Sequence, residues 1–371
     1  MLLREDPYEL LVRKLDSSVP RLSPAGQKGK IPKGWVDYLK ELIDSEDVKY
    51  LIKLNVGPNF LSLKRYAKKI KRSEDEAQEI LVRLINQNCV LKIGSKDPKY
   101  AIHQTFLLHS FPPLSYHKYT KDKAKKLAEM SFKNMVDDGW YKVYSGSPET
   151  PIVRVIPVQE SIDSTKMILP YEDVSKIIDD ARIIAITKCA CKTRTETLGI
   201  RECKEKYPLE TCFYMNHMAK FIIEKDIGRE ISKEETKRLC KEFNQKGLVH
   251  TIENFEEGTH SMLCNCCSCC CNPLGGITMW DKPHAVAMAN YVAEIKDIEM
   301  CERCGTCETN CIFKAITLNE IGPEIDEDKC MGCGICAVNC PASIIMLKHL
   351  EREDIPKDFF ELGFKIGREM D

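Results

Sequence analysis

Cysteine is the residue whose number and spacing in this sequence could do chemistry. The chain has 20 cysteines among 371 residues, and all but Cys89 lie between Cys189 and Cys340. Cysteine thiolates are soft ligands that bind zinc, copper(I) and iron–sulfur clusters. The sequence opens without a signal-peptide pattern, and tight cysteine clusters in such a chain are more typical of metal sites in a reducing compartment than of disulfides. We therefore expect metal centres.

The strongest pattern is an internal repeat towards the C-terminal end. Three cysteines at intervals of three, followed by a fourth four residues later, run from Cys301 to Cys311 and again, 29 residues on, from Cys330 to Cys340. At this spacing three thiolates wrap one cubic cluster, and the fourth cysteine of each run ligates the other cluster. The repeat predicts two 4Fe-4S clusters, one held by Cys301, Cys304, Cys307 and Cys340 and the other by Cys330, Cys333, Cys336 and Cys311.

Between Ile295 and Leu347 the sequence resembles a bacterial-type two-cluster ferredoxin. That family usually has proline after the fourth cysteine of each run, whereas here only Cys340 is followed by proline and Cys311 is followed by Ile312. We expect this difference to affect the stiffness of the loop rather than ligation. A pair of zinc sites is the alternative, but zinc sites typically use two separated pairs of cysteines.

A second group of cysteines lies upstream of the repeat and has no standard spacing. Its members are Cys189, Cys191, Cys203, Cys212, Cys264, Cys266, Cys267, Cys269, Cys270 and Cys271. Side chains of an extended chain alternate between two sides, which predicts Cys264, Cys266 and Cys270 on one side and Cys267, Cys269 and Cys271 on the other. Ten thiols could hold one or two further iron–sulfur clusters. Zinc or another soft metal, a redox-active disulfide and merely buried thiols remain alternatives.

The N-terminal part of the chain has the pattern of a winged helix. Apolar spacing predicts helices over Trp35–Leu54 and Leu61–Ile70, and Ser73 forms a capping box with Glu76 that begins a third helix. A β-hairpin is predicted over Cys89–Ile102. We expect this module to dock a protein partner rather than DNA. The reason is that the first turn of the third helix, which would meet the bases, is acidic, and acidic groups repel phosphates.

The sequence predicts an α+β protein of several domains. We divide it into a helical, winged-helix-like domain (1–119), an α/β cysteine-rich metal-binding domain (120–285), a ferredoxin-like domain with a pseudo-two-fold repeat (286–350) and a C-terminal tail (351–371). In the middle domain a β-rich run over Arg182–Thr187 leads to Cys189, and helices are predicted over Leu209–Glu224 and from Ser232, which forms a second capping box with Glu235.

The formal net charge of −1 hides an asymmetry between the two ends of the chain. Residues 1–125 carry 24 Lys and Arg against 15 Asp and Glu, a net of +9, whereas residues 281–371 carry 10 against 18, a net of −8. An acidic ferredoxin end suits docking onto a basic redox partner, because complementary charges speed and orient encounter. The longest apolar runs fall far short of the ~20 residues that cross a bilayer, so we expect a cytoplasmic protein without membrane insertion.

As a whole, the chain resembles a widespread family of iron–sulfur proteins from anaerobic bacteria and archaea. These proteins have a winged-helix-like N-terminus, a cysteine-rich core and a C-terminal two-cluster ferredoxin domain. The resemblance is carried by Cys189–Lys192, Cys212, Gly228–Ser232, Gly247–His250 and Cys264–Cys271. It implies iron–sulfur binding in the core, and it implies no substrate.

These features predict an iron–sulfur electron-transfer protein, or an electron-transfer subunit of an anaerobic oxidoreductase. An enzyme with a catalytic cluster in the core and a redox-sensing DNA-binding regulator are the alternatives. The sequence shows no dinucleotide fingerprint, P-loop or Ser/His/Asp pattern, and no catalytic residue is predicted. His217, His250 and His260 lie nearest the core cysteines in sequence and could orient a cluster or relay a proton, although ordinary structural roles are more common.

Overall fold

The computed structural model describes residues 5–17, 31–102, 106–162, 172–352 and 354–370. Helices and sheets are mixed along the chain, which confirms the α+β class. Within the described residues no helix is both long and apolar enough to cross a membrane. The α-helices are α1 (Pro7–Leu15), α2 (Lys33–Leu42), α3 (Ser45–Leu51), α4 (Leu63–Ile70), α5 (Glu74–Asn86), α6 (Phe111–Leu114), α7 (Lys121–Val136), α8 (Tyr141–Tyr144), α9 (Val174–Asp180), α10 (Ala190–Thr197), α11 (Asn216–Glu224), α12 (Lys233–Gln245), α13 (Asn272–Thr278), α14 (Thr306–Asn310), α15 (Ile335–Val338) and α16 (Phe359–Met370).

Among the described residues the strands form four sheets, and every strand pairing in them is antiparallel. They are β1 (Leu61–Ser62), β2 (Leu91–Ile93), β3 (Lys99–Ala101), β4 (Val153–Ile156), β5 (Ile184–Lys188), β6 (Glu210–Met215), β7 (Gly228–Ile231), β8 (Val249–Glu253), β9 (Met262–Cys266), β10 (Tyr291–Ile295), β11 (Ile316–Leu318), β12 (Pro323–Ile325) and β13 (Ile345–His349). The largest sheet has the order β4-β8-β9-β6-β5-β7, and smaller sheets are β1-β3-β2, β10-β13 and β11-β12.

The N-terminal helices and hairpin largely follow the sequence pattern. The capping box of α5 is present, with Glu76 N donating to Ser73 Oγ and Ser73 N donating to a carboxylate oxygen of Glu76. The hairpin is formed by β2 and β3. The single helix predicted over Trp35–Leu54 is wrong, because Ile43 is extended and the chain restarts as α3 after Asp44. The acidic residues that follow Asp44 favour this new helix start through the helix dipole.

Helix α7 packs with the N-terminal helices. Its buried residues Leu127 and Met135 belong to the same hydrophobic core as α2. Just after α7, Trp140 stacks edge-on against Trp35 of α2, with ring centroids 4.5 Å apart. The N-terminal core therefore continues past residue 119 into the segment that leads to β4.

The six-stranded sheet is the scaffold of the middle of the chain. β5 ends directly before Cys189, as the sequence predicted. The helix predicted over Leu209–Glu224 is wrong in its first part, because residues 210–215 form the interior strand β6 and only residues 216–224 are helical. Pairing on both sides, with β5 and with β9, favours the strand. Helix α12 begins after Ser232 as predicted, although the Glu235 carboxylate pairs with Arg229 instead of closing the box.

The C-terminal part of the chain packs directly on this sheet. Val158 N donates to Cys333 O at 3.0 Å, and Ala289 N donates to Met331 O at 3.1 Å. Gly332 has φ of +65°, and a Cβ atom there would lie 2.1 Å from Tyr291 O, so only glycine fits. The second half of the cysteine repeat is therefore held against the middle of the chain.

Residues of the C-terminal segment also form a helix that returns to the body of the protein. Leu362 and Ile366 of α16 are buried against Phe255. Near the end of α16, Glu369 accepts a hydrogen bond from Thr150 at 2.9 Å. The segment after residue 350 thus contributes to the packing of the strand region around β4 and β8.

We expect Ser73→Ala to lower the free energy of unfolding by about 1 kcal/mol, because it removes the side chain that caps α5. Urea unfolding followed by far-UV circular dichroism measures this change. Ser95→Ala is the matched control, since Ser95 is exposed in the hairpin turn and has no capping role. Equal effects of the two substitutions would contradict the stabilising role of the capping box.

Candidate metal centres

The first cysteine set of the repeat surrounds a small pocket. Thiols of Cys301, Cys304, Cys307 and Cys340 line it together with Leu318, Pro323, Pro341, Ile344 and Ile345. Burial raises the pKa of Cys307, and the thiols of Cys340 and Cys304 add to the shift through their charges. The structure thus brings these four cysteines together around an apolar space. We call them the outer set, because Cys304 is exposed.

The second set of the repeat is brought together deeper in the protein. Burial raises the pKa of Cys333 to about 12, and the charges of Cys330 and Cys311 contribute. The pKa of Cys336 is raised by burial and by the charges of Cys333, Cys330 and Cys311. Ala293 N donates to Cys330 Sγ at 3.4 Å and Ala315 N to Cys311 Sγ at 3.3 Å, and such N–H···S bonds help to set the potential of a bound cluster. We call these four cysteines the inner set.

Three cysteines of the upstream group lie on one face of the large sheet. Cys212 of β6 and Cys264 of β9 are direct partners in the register of the two strands, so their side chains share a face. Cys266 lies two residues further along β9 and therefore points to the same face. Pairing of β6 with β9 thus creates one half of a thiol site.

Three more cysteines complete a closed arrangement around this face. Cys189 and Cys271 are the N-cap residues of α10 and α13, and Cys191 lies in the first turn of α10. Electrostatic interactions between neighbouring thiols link the six in a ring, in the order Cys189, Cys191, Cys271, Cys266, Cys264 and Cys212. We call this the six-thiol ring.

Charge in the six-thiol ring is unevenly shared. Hydrogen bonds from Cys191 and Cys212 hold the pKa of Cys189 well below its usual range, and the thiols of Cys264 and Cys271 do the same for Cys266. Negative charge at Cys189 in turn raises the pKa of Cys191 to about 12. Metal binding would replace these shared protons, since cysteines ligate metals as thiolates.

The remaining four cysteines form a separate, tighter group. Cys203, Cys267, Cys269 and Cys270 have all their sulfur atoms within 4.8 Å of one another. We call them the compact set. The predicted sorting of the Cys264–Cys271 run is therefore wrong for two residues, because Cys270 lies with Cys267 and Cys269 and Cys271 lies with Cys266. Strand β9 ends at Cys266 and the chain turns through residues 268–270, so alternation fails beyond the strand.

A buried lysine lies between the two thiol groups of the core. Lys192 is only 1% exposed, and its Nζ donates to Thr211 Oγ1 at 2.7 Å and to Asn265 O at 3.3 Å. Burial alone would lower the pKa of Lys192, but the charges of Cys189 and Cys267, one from each group, outweigh it and raise the pKa. The ammonium group therefore compensates negative charge on both groups at once.

A hydrogen-bonded chain approaches the six-thiol ring from the N-terminal side. Arg194 donates to Asn272 Oδ1, Asn272 Nδ2 lies 3.1 Å from His109 Nδ1, and His109 Nε2 lies 3.5 Å from Cys191 Sγ. Burial lowers the pKa of His109 to about 3, so its ring is neutral near pH 7. Since the Asn272 amide N–H donates to Nδ1, the imidazole proton is on Nε2 and is directed at the Cys191 sulfur.

His109 was missed by the sequence analysis because it lies about 80 residues before the core cysteines and belongs to no motif. The three histidines singled out there have other contacts among the described residues. His260 lies 3.3 Å from Glu253 and stacks on Phe255, and buried His250 lies beside Asn265. His217 lines a surface pocket away from the thiols.

Comparison with known protein families supports the chemistry of the repeat. Residues 321–342 match a family described as a 4Fe-4S binding domain. The matched stretch contains Cys330, Cys333, Cys336 and Cys340. No curated protein and no solved structure matches the chain. The family match supports an iron–sulfur protein, and the compact set supports metal binding.

Asn272→Ala would leave the buried groups of Arg194 and His109 without the amide that joins them. We expect the free energy of unfolding to fall by about 2–4 kcal/mol, since each buried polar group left unpaired costs about 1–3 kcal/mol. Chemical denaturation of the protein under anaerobic conditions measures the loss. Asn86→Ala, at an exposed position of α5, is the control and should change stability by less than about 0.5 kcal/mol. A similarly small effect at Asn272 would show that this chain of hydrogen bonds does not form.

Proposed function

We propose that the protein is an iron–sulfur electron-transfer protein, or an electron-transfer subunit of an anaerobic oxidoreductase. In this proposal the outer and inner sets each hold one 4Fe-4S cluster and exchange single electrons with a metal centre at the six-thiol ring. The observation that carries the proposal is the arrangement of the repeat. Each set combines three cysteines of one half with the fourth cysteine of the other half, and the outer set reaches the surface at Cys304.

The burial of the cysteines indicates the order in which electrons would pass through the proposed clusters. Cys304 of the outer set is exposed, whereas Cys330 and Cys336 of the inner set are buried. One hydrophobic core contains Cys307 of the outer set, Cys330 and Cys336 of the inner set, and Cys266 and Cys271 of the six-thiol ring, so the three groups are in packing contact. Electrons would therefore reach the outer cluster from a partner and pass inward through the inner cluster. Bound clusters supply the one-electron chemistry, while the protein holds them in place and excludes water from the inner positions.

The surface around Cys304 supports docking of a basic redox protein. Met300 and Ile321 are 62% and 75% exposed, which gives the surface an apolar centre. Glu299, Glu302 and Glu320 are exposed nearby and outnumber the exposed Arg303. Acidic groups around a small apolar patch suit a partner with Lys and Arg side chains, because complementary charges steer the encounter and leave the apolar centre to be buried.

We further propose that the N-terminal part is a winged-helix-like domain that binds a protein partner. Helices α2, α4 and α5 and the sheet β1-β3-β2 occur in the order expected of such a domain. Glu74, Asp75 and Glu79 are exposed on α5, and this acidic surface disfavours DNA. We propose that residues 120–285 form the metal-binding domain, residues 286–350 the ferredoxin-like domain and residues 351–371 the tail. Helix α7, at the start of the metal-binding domain, packs on the N-terminal core.

Anaerobically purified protein should contain at least about eight irons and eight acid-labile sulfides per chain, because two 4Fe-4S clusters contribute four of each. Cys304→Ala should remove about four of each by disrupting the outer cluster, with the inner cluster still reducible by electron paramagnetic resonance. Cys89→Ala is the matched control, since Cys89 is a buried thiol outside every set. Four or fewer irons in the unaltered, reconstituted protein would refute the two-cluster proposal.

Lys192→Met should lower the reduction potential of the core centre, because the lost positive charge stabilises the more negative, reduced state. The expected shift is on the order of 100 mV, because a unit charge about 5–8 Å away is worth about 2–3 kcal/mol at an effective dielectric constant near 20 and about 1.4 kcal/mol corresponds to about 59 mV for one electron. A redox titration followed by electron paramagnetic resonance measures it. Lys188→Met, at an exposed position of β5, controls for net charge. An unchanged or raised potential in Lys192→Met would contradict the proposed redox role of the six-thiol ring.

A further inference from the structure

We propose that the compact set, Cys203, Cys267, Cys269 and Cys270, binds a single zinc ion and not an iron–sulfur cluster. This site would be structural and would hold the turn that carries ligands of the six-thiol ring. The inference is independent of the electron-transfer proposal, because it concerns a metal that takes no part in redox chemistry.

Sulfur–sulfur distances carry the argument. Cys203 Sγ lies 3.8 Å from Cys267 Sγ and 3.7 Å from Cys270 Sγ, and Cys269 Sγ lies 3.8 and 3.6 Å from the same two atoms. Four sulfurs at about 2.3 Å from one zinc, at the corners of a tetrahedron, are about 3.8 Å apart. The observed spacing therefore matches one tetrahedral ion.

A cubic cluster would need a wider arrangement. In a 4Fe-4S cluster each thiolate binds a different iron on the outside of the cube, so the cysteine sulfurs are much farther apart than around one ion. The repeat offers an internal comparison, since the outer set encloses a pocket. Among the described residues, the compact set is the group whose ligand atoms all lie within 4.8 Å of one another.

The donor set is also complete for a structural zinc site. Four cysteines fill a tetrahedral shell and leave no position for water or substrate, which is the composition of structural rather than catalytic zinc sites. Four thiolates around Zn²⁺ leave a net negative charge. Arg201 and Lys204 flank Cys203 in the sequence and share the single carboxylate of Glu196, so a net positive charge lies on this side of the site to balance it.

The position of the compact set indicates a structural role for the ion, because its ligands come from two separate segments of the chain. Cys203 lies in the segment between α10 and β6. It is 64 residues away in sequence from Cys267. One ion would join this segment to the turn after β9. Cys267 and Cys270 are the immediate neighbours of Cys266 and Cys271, two members of the six-thiol ring. Fixing the turn therefore fixes two ligands of the ring.

Metal and sulfide analysis of the full chain tests the proposal. Unaltered protein with full cluster content should contain about one zinc per chain. Cys269→Ala should lose that zinc, and any loss of iron in it should be confined to the six-thiol ring whose ligands the turn carries. Cys264→Ala, at a similarly half-buried thiol of the six-thiol ring, should lose iron or sulfide and keep zinc. Cys240→Ala, a buried thiol outside all sets, should change neither. Undiminished zinc in Cys269→Ala would overturn the proposal, because the zinc would then lie elsewhere.

Zinc-edge X-ray absorption of the unaltered protein tests the same point without a variant. We expect four sulfur neighbours at about 2.3 Å and no neighbouring metal. Protein with full iron content but without zinc would overturn the assignment, and so would a single iron bound by four sulfurs at this site. Neither result bears on the repeat, whose clusters are tested by their own iron content.

Discussion

The register between β6 and β9 is the constraint on which the arrangement of metal centres depends. It sets Cys212 opposite Cys264 and gives these two thiols and Cys266 a common face. A slip of one residue would move every side chain of one strand to the opposite face. The ring could not then close, because Cys189 and Cys271 approach from helix starts at the same face. Pairing on both sides of β6 protects this register.

Ten thiols in the core would carry several negative charges as thiolates, and buried negative charge is unfavourable unless cations compensate it. Helix α10 supplies such cations. Cys189 and Cys191 are ligand candidates at the start of this helix, and Lys192 and Arg194 are buried cations in the same helix. Buried charges are tolerated when opposite charges and hydrogen bonds compensate them. The short stretch from residue 189 to 194 thus supplies both ligands and counter-charges. Metal binding and folding of this region are accordingly expected to be coupled.

Local patterns were predictable from the sequence where the structure they imply is itself local. The capping box at Ser73 fixes a helix start through atoms three residues apart, and the repeat from Cys301 encodes a loop that wraps its own ligands. The predicted placement of the Cys264–Cys271 cysteines on two sides of the chain was wrong for Cys270 and Cys271. Side chains alternate only along a strand, and the chain turns after Cys266. The strand at residues 210–215 was missed because its partners on both sides are distant in sequence.

His109 is a residue near the site that no sequence motif could predict, because only the fold brings it to Cys191. It follows the hairpin of the N-terminal part, yet its ring stacks edge-on against Tyr144 at 4.8 Å and contacts Cys191 of the six-thiol ring. Tyr144 belongs to the same hydrophobic core as α2 and α7. The neutral imidazole is therefore one link between the N-terminal core and the surroundings of the ring, beside Arg194 of α10, which lies over the Phe132 ring of α7. A partner that shifted this core would act on the hydrogen bond to Cys191, so the docking role proposed for the N-terminal part and the redox role proposed for the ring share one physical connection.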